Sequence, residues 1–553
     1  MKKISVIVPV YNKEDYLVEC LDSICSQTMP PEDIEVICVD DQSTDSSLEI
    51  LKEYEKNNSN FTVIRRETNS GTPGIPRNEA LEKATGEYVF FVDPDDYLGL
   101  EALERMYNYA RENNSDVVLC KYTSVGGRGV PRSMFKKTEA NVDLADSRII
   151  YTLSPQKLFR LSLIKDNNIK FPTYMRSGSD QPFVMRAYLE SKVISVLTDY
   201  DYYYLVKHAG EHMSVAHTHP ENFYRGMGEV LRSIGESSLS SERKEKAMAI
   251  FLNRHFDFER TNHFTIKYEK DKEEWMFHIR EMVVNNIPEN VDDLVQPHVK
   301  IKLRLIREND LENLSLFNLQ EKEQSYQTRI VDGELIRHSP YLDDYNFTAQ
   351  DLNVSYRDRL THSISNLNLE DNCVVIEGDI KHTLLDSEHN NKQQLSGVLV
   401  NRTTKKERFY QSESGEGCHF KFKIDFHKFT DQKEDLGIWD FFIDSEVEGY
   451  KKRARIGKRS QALKLEVDLY FLDKLNYKVH PYFTRPPYDN LSFKLEELAI
   501  ISRKNLNQLY EDMDKQERLI KKQDEFINGI IDSRSWKLTR IFRKIGDYKR
   551  KLK

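Results

Sequence analysis

The first 120 residues alternate short apolar runs with stretches whose apolar positions recur every three or four residues. Residues 4–8, with Ile4, Val6, Ile7 and Val8, form an apolar, β-branched run that predicts a buried strand. Leu17, Cys20, Leu21 and Ile24 then share one face of a predicted helix. Residues 34–39 predict a second strand ending in Asp40 and Asp41, with Ser43, Thr44 and Asp45 as the candidate start of a helix through Leu48 and Leu51. Residues 61–64 predict a third strand, and the Gly- and Pro-containing stretch 69–78 a loop leading to a helix with Ala80, Leu81 and Ala84. Residues 88–92 complete the series as a fourth buried strand. Strands separated by helices imply a mostly parallel, doubly wound α/β sheet.

The pattern then changes. A first domain over residues 1–220 gives way to helical periodicity over 221–320, where Phe251, Leu252, His255 and Phe256 share a face and Met282, Val283 and Val284 follow. Residues 321–348 are polar and broken, which reads as a linker. Over 349–500, short alternating runs around Val374, Val398, Phe422 and Leu465, separated by turn residues, predict an all-β antiparallel sandwich. Residues 501–553 come last: Leu506/Leu509, Met513/Gln516, Ile520/Gln523 and Ile527/Ile530 keep heptad spacing and predict a short coiled coil. The final stretch 534–553 holds nine Lys or Arg and one acid, with Trp536, Leu538, Ile541 and Phe542 largely on one helical face. Two readings fit that basic amphipathic tail, an anionic membrane surface or a neighbouring subunit.

Composition narrows the class. A chain of 553 residues exceeds one ordinary core, and 39% hydrophobic with 31% charged residues describes a globular protein. A net charge of −9 argues against nucleic acid as the main partner. The N-terminal apolar run is broken too soon by Pro9, Asn12 and Lys13 for a signal peptide, and no run is long enough to cross a bilayer. Cysteines 20, 25, 38, 120, 373 and 418 lack metal-ligand spacing and read as reduced core residues of a cytoplasmic protein.

The chemistry concentrates at strand ends. Asp93, Asp95 and Asp96 crowd the end of residues 88–92, and like charges so close resist ionising unless a cation sits among them. Hard carboxylate oxygens suit Mg2+ or Mn2+, which in turn bind phosphates. Tyr11-Asn12 and Asp40-Asp41 end neighbouring strands and can meet the same ligand, since open α/β sheets bind ligands at their carboxyl ends. The competing readings are a turn for Asp93–Asp96, a cap or turn acid for Asp40, a solvated helix-start cation for Arg77 and an N-cap for Asp180.

Val8-Pro9-Val10-Tyr11-Asn12, residues 39–45, Pro76-Arg77-Asn78 and residues 91–96 resemble the motifs of inverting, GT-A-fold, family 2 glycosyltransferases. The resemblance implies that Pro9 and Tyr11 lie along the nucleotide base and that Asp40 selects uracil or thymine. It further implies that Asn69, Arg77 and Asp93 contact the donor and that Asp95 holds the metal. Residues 127–136, 147–155, 179–183, 210–214 and 251–256 are similar to the wall-teichoic-acid, poly(ribitol phosphate), glycosyltransferases of the TarS type. That branch implies Asp180 as general base and His212 at the metal or diphosphate, and its C-terminal immunoglobulin-like module implies oligomerisation (a dimer or trimer) or glycan binding. Arg128, Arg132, Lys136 and Lys137 are candidates for guiding a polyanionic acceptor.

Three positions depart from relatives that transfer N-acetylglucosamine: Ser179 replaces a glutamate, His208 an arginine and Thr72 a glycine. A smaller, less polar pocket suits a sugar without the acetamido group, so UDP-N-acetylglucosamine and dTDP-L-rhamnose are both candidate donors. The expected activity is transfer of that sugar to ribitol hydroxyls of teichoic acid, in the cytoplasm or at the inner membrane face. The alternatives are a capsular or rhamnose-rich polysaccharide acceptor, and a non-catalytic glycan-binding scaffold. A nucleotidyltransferase is disfavoured because its glycine-rich, lysine-bearing N-terminal loop is missing.

Overall fold

The structure is a computed structural model that describes residues 2–208, 219–257, 259–370, 373–429, 433–457, 469–471, 477–485 and 488–497, with 515 and 518. Two compact units result, Met1–Arg329 with Ile336–Val354, and Ile330–Leu335 with the described residues from Ser355 onward.

The first unit is built on a seven-stranded sheet. Its strands are β1 (Ile4–Val10), β2 (Ile34–Asp40), β3 (Phe61–Arg65), β4 (Tyr88–Phe91), β6 (Val117–Cys120), β8 (Lys157–Arg160) and β9 (Ile194–Leu197), in the order β3-β2-β1-β4-β8-β6-β9. All pairings are parallel except those of β8, which runs antiparallel to both β4 and β6. The sheet is therefore mixed, as the GT-A resemblance implies. Period-two alternation divides each strand between two cores: Ile7, Val89, Phe91 and Val117 face one, and Val6, Val8, Phe90 and Val118 the other. Burial on both faces explains why these strands read as continuous apolar runs.

The helices α1 (Glu14–Cys25), α2 (Ser47–Asn57), α3 (Gly74–Lys83), α4 (Ala102–Glu112), α5 (Leu161–Asp166) and α6 (Asp180–Glu190) connect these strands. A small second sheet, β5 (Tyr97–Leu98), β10 (Tyr203–Val206) and β7 (Tyr122–Val125), stands beside the acid-rich loop. Helix α2 begins at Ser47 rather than at residues 43–45, with Asp45 accepting from the Ser47 N–H at 3.0 Å.

Helices α7 (Pro220–Glu236), α8 (Ser241–Phe256), the one-turn α9 (Glu259–Asn262) and α10 (Phe264–Lys267), α11 (Lys272–Asn286), α12 (Pro297–Arg307) and α13 (Leu311–Glu323) continue one of the two cores. Phe251, Leu252, His255, Phe256, Met282 and Val283 are buried, whereas Val284 is exposed because it falls on the opposite side of α11. The stretch read as a linker, 321–348, is instead ordered. It holds β11 (Gln327–Val331), β12 (Glu334–His338) and a 3-10 helix over Pro340–Tyr345. Arg337 is buried there, paired with Glu321 at 2.5 Å, bonded to Gln320 and Ser339, and stacked on Phe317 and Tyr326. Such residues look solvated in a sequence because their polarity is cancelled only by partners the fold supplies.

In the second unit β13 (Leu360–Glu370), β14 (Cys373–His382) and β17 (His419–Asp425) form one antiparallel sheet. The other contains β15 (Gln394–Asn401), β16 (Glu407–Gln411), β18 (Gly437–Val447), β19 (Tyr450–Arg455), β20 (Leu469–Phe471), β21 (Tyr477–Phe483) and β22 (Leu491–Glu497). A short helix, α14 (Ser387–Asn391), links β14 to β15. Val374, Ile376 and Phe422 from one sheet and Leu399, Trp439 and Phe493 from the other share a core, which makes a sandwich.

Buried Asp358, His382 and Ser445 lie in an acid–base–hydroxyl order, at 2.6 and 2.8 Å. The serine hydroxyl is donated to Gln393 and all three groups are buried, so this constellation fastens the sandwich rather than meeting substrate. Cys25 is exposed, unlike the core cysteines at 20, 38, 120 and 373. The run around Leu465, the coiled coil and the basic tail lie outside the described residues.

Candidate active site

The carboxyl ends of β1, β2 and β4 meet at one place, and backbone bonds lace them together. Asn12 turns at φ +49°, its N–H donating to Ser43 Oγ at 3.0 Å while its Oδ1 accepts from the Thr44 N–H at 2.8 Å. Pro9 is buried within β1 and Tyr11 stands 45% exposed just beyond it, so the ring is available to a ligand. Asp41 gathers Arg66, the Ser70 N–H and the Ser70 hydroxyl, and its carbonyl accepts from Asn69 Nδ2. Exposed Asn69 is thereby fixed on the rim.

Asp40 is fully buried at the tip of β2. Its Oδ1 accepts from the Ser43 N–H at 3.1 Å, but Oδ2 has no hydrogen-bond partner among the described residues, with Arg65 Nε 3.9 Å away. A buried, unsatisfied carboxylate oxygen costs about 1–3 kcal/mol or more, so a donor from a ligand would relieve it.

Arg77 enters from the first turn of α3 and is almost wholly buried. Nη2 meets Asp93 Oδ1 at 2.9 Å and Nη1 meets Asp180 Oδ1 at 2.6 Å. The solvated reading of Arg77 is thus replaced by a fork that joins two acids. Asp180 is the first residue of α6, not its cap, and its Oδ2 has no hydrogen-bond partner among the described residues. Gln156 Nε2 occupies Asp93 Oδ2 at 2.7 Å, so both Asp93 oxygens are held by protein donors. Burial, with the neighbouring Asp95 and Asp180 charges, outweighs Arg77 and leaves the Asp93 carboxyl above its usual range.

Asp95 is differently placed. Burial alone would raise its pKa, but Lys13 at 2.7 Å, with His208 and Arg128 nearby, holds it below the usual carboxylate range. His208 Nε2 lies 2.6 Å from the Asp95 carbonyl oxygen and its ring stacks near Tyr16. Asp96, which the sequence reads as a turn or cap, is buried and accepts from Tyr203 OH and the Val206 N–H. Burial and the adjacent Asp93 push its pKa well up. Arg128 pairs with Asp96 and donates to the Val206 carbonyl, and the exposed Lys137 pairs with Glu139. His212 lies outside the described residues.

For a divalent ion the donor chemistry fits in a limited way. Mg2+ and Mn2+ are commonly bound through one or two carboxylates plus substrate phosphates, and Asp95 is a depressed-pKa carboxylate at the rim. Among the described residues no cluster of three His, Cys, Asp or Glu side chains forms a closed cage. Sequence reading missed Lys13, Gln156 and Tyr203, which hold the acidic cluster from strands and loops far away in the chain.

A mixed GT-A sheet whose acidic strand tips converge beside an Arg-held carboxylate defines a nucleotide-sugar glycosyltransferase, and comparison with known proteins agrees. Residues 5–180 match the profile of glycosyl transferase family 2, residues 220–318 the glycosyl transferase TarS linker domain, and residues 350–495 the TarS beta-glycosyltransferase C-terminal domain 1. The chain belongs to the TarS-type family of these glycosyltransferases. It is 49% identical to a poly(ribitol-phosphate) beta-glucosyltransferase of Bacillus spizizenii, over 90% of this chain and 79% of that protein. It is 37% identical to the poly(ribitol-phosphate) beta-N-acetylglucosaminyltransferase TarS of Staphylococcus aureus, over 90% and 86%. The crystal structure of S. aureus TarS superposes with a TM-score of 0.64 at 34% identity, covering 90% of this chain and 86% of that one. That of TarS 1–349 in complex with UDP-GlcNAc gives 0.58 at 45% identity, covering 61% and 96%.

Proposed function

We propose that this glycosyltransferase moves a sugar from a UDP donor onto a ribitol hydroxyl of poly(ribitol phosphate), with inversion at the anomeric carbon. The observation that carries the proposal is the Arg77 fork, which grips Asp93 and Asp180 while leaving Asp180 Oδ2 open. Asp180 takes the proton of the acceptor hydroxyl as that oxygen attacks the anomeric carbon, and the bond to the diphosphate breaks on the opposite face. Uracil N3–H is the donor that would satisfy Asp40 Oδ2, and Tyr11 offers its exposed ring to the base. Asn69 and Arg77 hold the ribose and phosphate side of the donor, and Asp93 is kept in place by Arg77 and Gln156. When bound, Mg2+ or Mn2+ at Asp95 supplies charge neutralisation for the diphosphate.

For the donor we favour UDP-glucose, a sugar without the acetamido group, over UDP-N-acetylglucosamine and dTDP-L-rhamnose. Thr72 is buried, donates to the Met175 carbonyl at 2.7 Å and accepts from the Gly74 N–H, bonds that a glycine lacks. The buried Ser179 hydroxyl makes no hydrogen bond among the described residues. Identity to the named glucosyltransferase also exceeds that to the named N-acetylglucosaminyltransferase. Purified protein should be offered each nucleotide sugar together with poly(ribitol phosphate) stripped of its sugars, and the product identified by mass and linkage. Glucosylated polymer is expected. Preference for UDP-N-acetylglucosamine would overturn the donor assignment, and transfer only to another cell-wall polysaccharide would overturn the acceptor.

A further inference from the structure

A cavity of about 390 Å3 lies between the loop entering α3, the loop preceding α6 and the start of α7. We propose that it binds a phosphodiester of the acceptor polymer, on a repeat neighbouring the one glycosylated. This inference rests on the polyol-phosphate acceptor proposed above.

The cavity wall is donor-rich. Thr173 supplies a hydroxyl, Asn222 an amide and Arg176 a guanidinium, whereas the Ser70 and Thr72 hydroxyls already donate to Asp41 and the Met175 carbonyl, and no carboxylate lines it. The contrast with the adjacent Asp93, Asp95 and Asp180 is chemical: a lining with a guanidinium, an amide and a hydroxyl and no acid suits an anion. Arg176 is exposed and has no ion-pair partner among the described residues, and the Asn222 amide makes no hydrogen bond there. Both groups are available to a ligand. His219 adds a ring that lies 3.4 Å from Glu274.

Helix termini reinforce the sign. The cavity is bordered by the residues that precede or open α3, α6 and α7, helices of 10, 11 and 17 residues. The N-terminal ends of these helices add partial positive charge on this side of the fold.

The cavity adjoins the donor site and shares Thr72 with it. None of Lys13, Arg77 and Gln156, which bind the acidic cluster, lines it. Thr72 ties the α3 loop to Met175, and the loop carrying Arg176 and Ser177 runs on to Asp180 within a few residues. A polymer anchored there is led towards the base.

The test uses the full chain with Arg176→Glu and Asn222→Ala, measuring KM for UDP-sugar, for poly(ribitol phosphate) and for a single ribitol phosphate. The expected result is that the polymer's advantage over the single unit, as a ratio of kcat/KM, shrinks about tenfold in Arg176→Glu and by a smaller factor in Asn222→Ala. An unchanged ratio in both variants would overturn the proposal. So would a rise in donor KM in step with the acceptor's, which would assign the cavity to the nucleotide's phosphates. Absence of transfer to any polyol phosphate by the unaltered protein would overturn the acceptor assignment itself, a result separable from the other two.

Discussion

Asp180 and Arg77 show how a residue's neighbours decide its chemistry. With Oδ1 held by Arg77, the base has one oxygen to receive a proton, and Asp180→Asn removes it without disturbing volume. Its kcat is expected to fall by about 10²–10⁴-fold, with donor KM changed far less, measured by radiolabelled sugar transfer. Lys157 is a second informative residue, buried on β8 with its Nζ donating to the Ser154 carbonyl and lying 3.4 Å from Tyr122 OH. Burial pushes its pKa down to about 7. The unfolded chain, at roughly 10.4, therefore binds more protons than the folded one between those values, and stability rises with pH across that window. Lys157→Met is expected to abolish that contribution, so that its stability advantage at pH 7 narrows towards pH 10 in paired denaturant titrations. Asp40, Asp93 and Asp95 are legible in the sequence because they end or closely follow apolar strands, whereas Arg77 and Asp180, in the first turns of helices, are picked out only by motifs that resemble the family. Lys13, Gln156 and Tyr203 are not, because the sheet brings them to Asp95 and Asp93 from 82, 63 and 110 residues away.

Elements were legible where burial is two-sided and obscured where polarity is internal. The strands β1, β2 and β4 advertise themselves as apolar runs, each extending or ending within two residues of its expected bound. The stretch 321–348 is ordered rather than broken because its organising contact is a buried ion pair. Removing one partner of such a pair leaves the other charge stranded, so Arg337→Ala is expected to cost about 3–5 kcal/mol, whereas the paired change Arg337→Met with Glu321→Met should cost much less. Differential scanning calorimetry of the two variants checks the difference. Equal losses would mean that packing of the stem against Phe317 and Tyr326, not charge, holds β12 in place.

At the scale of the whole molecule, the chain separates chemistry from whatever the sandwich does. All groups described around Asp93, Asp95 and Asp180 lie in the first unit. A chain ending at Val354 is therefore expected to fold and to retain slow donor hydrolysis, detected as UDP release. We propose oligomerisation as the role of the sandwich, and light scattering is expected to find the full chain as a dimer or trimer and the shortened one as a monomer. A monomeric full chain would return glycan binding to the front. Among the described residues no helix is long and apolar enough to cross a membrane.

The pairing of Lys13 with Asp95 and of Arg77 with Asp93 and Asp180 sets three carboxylates against two cations. Before any substrate arrives the cleft is close to electrical balance. A lone dication finds Asp95 already answered by an ammonium group, and a lone pyrophosphate meets acids as well as bases. Under the metal reading proposed above the two together nearly cancel, so each would raise the occupancy of the other, and titrating one at fixed levels of the other would show it.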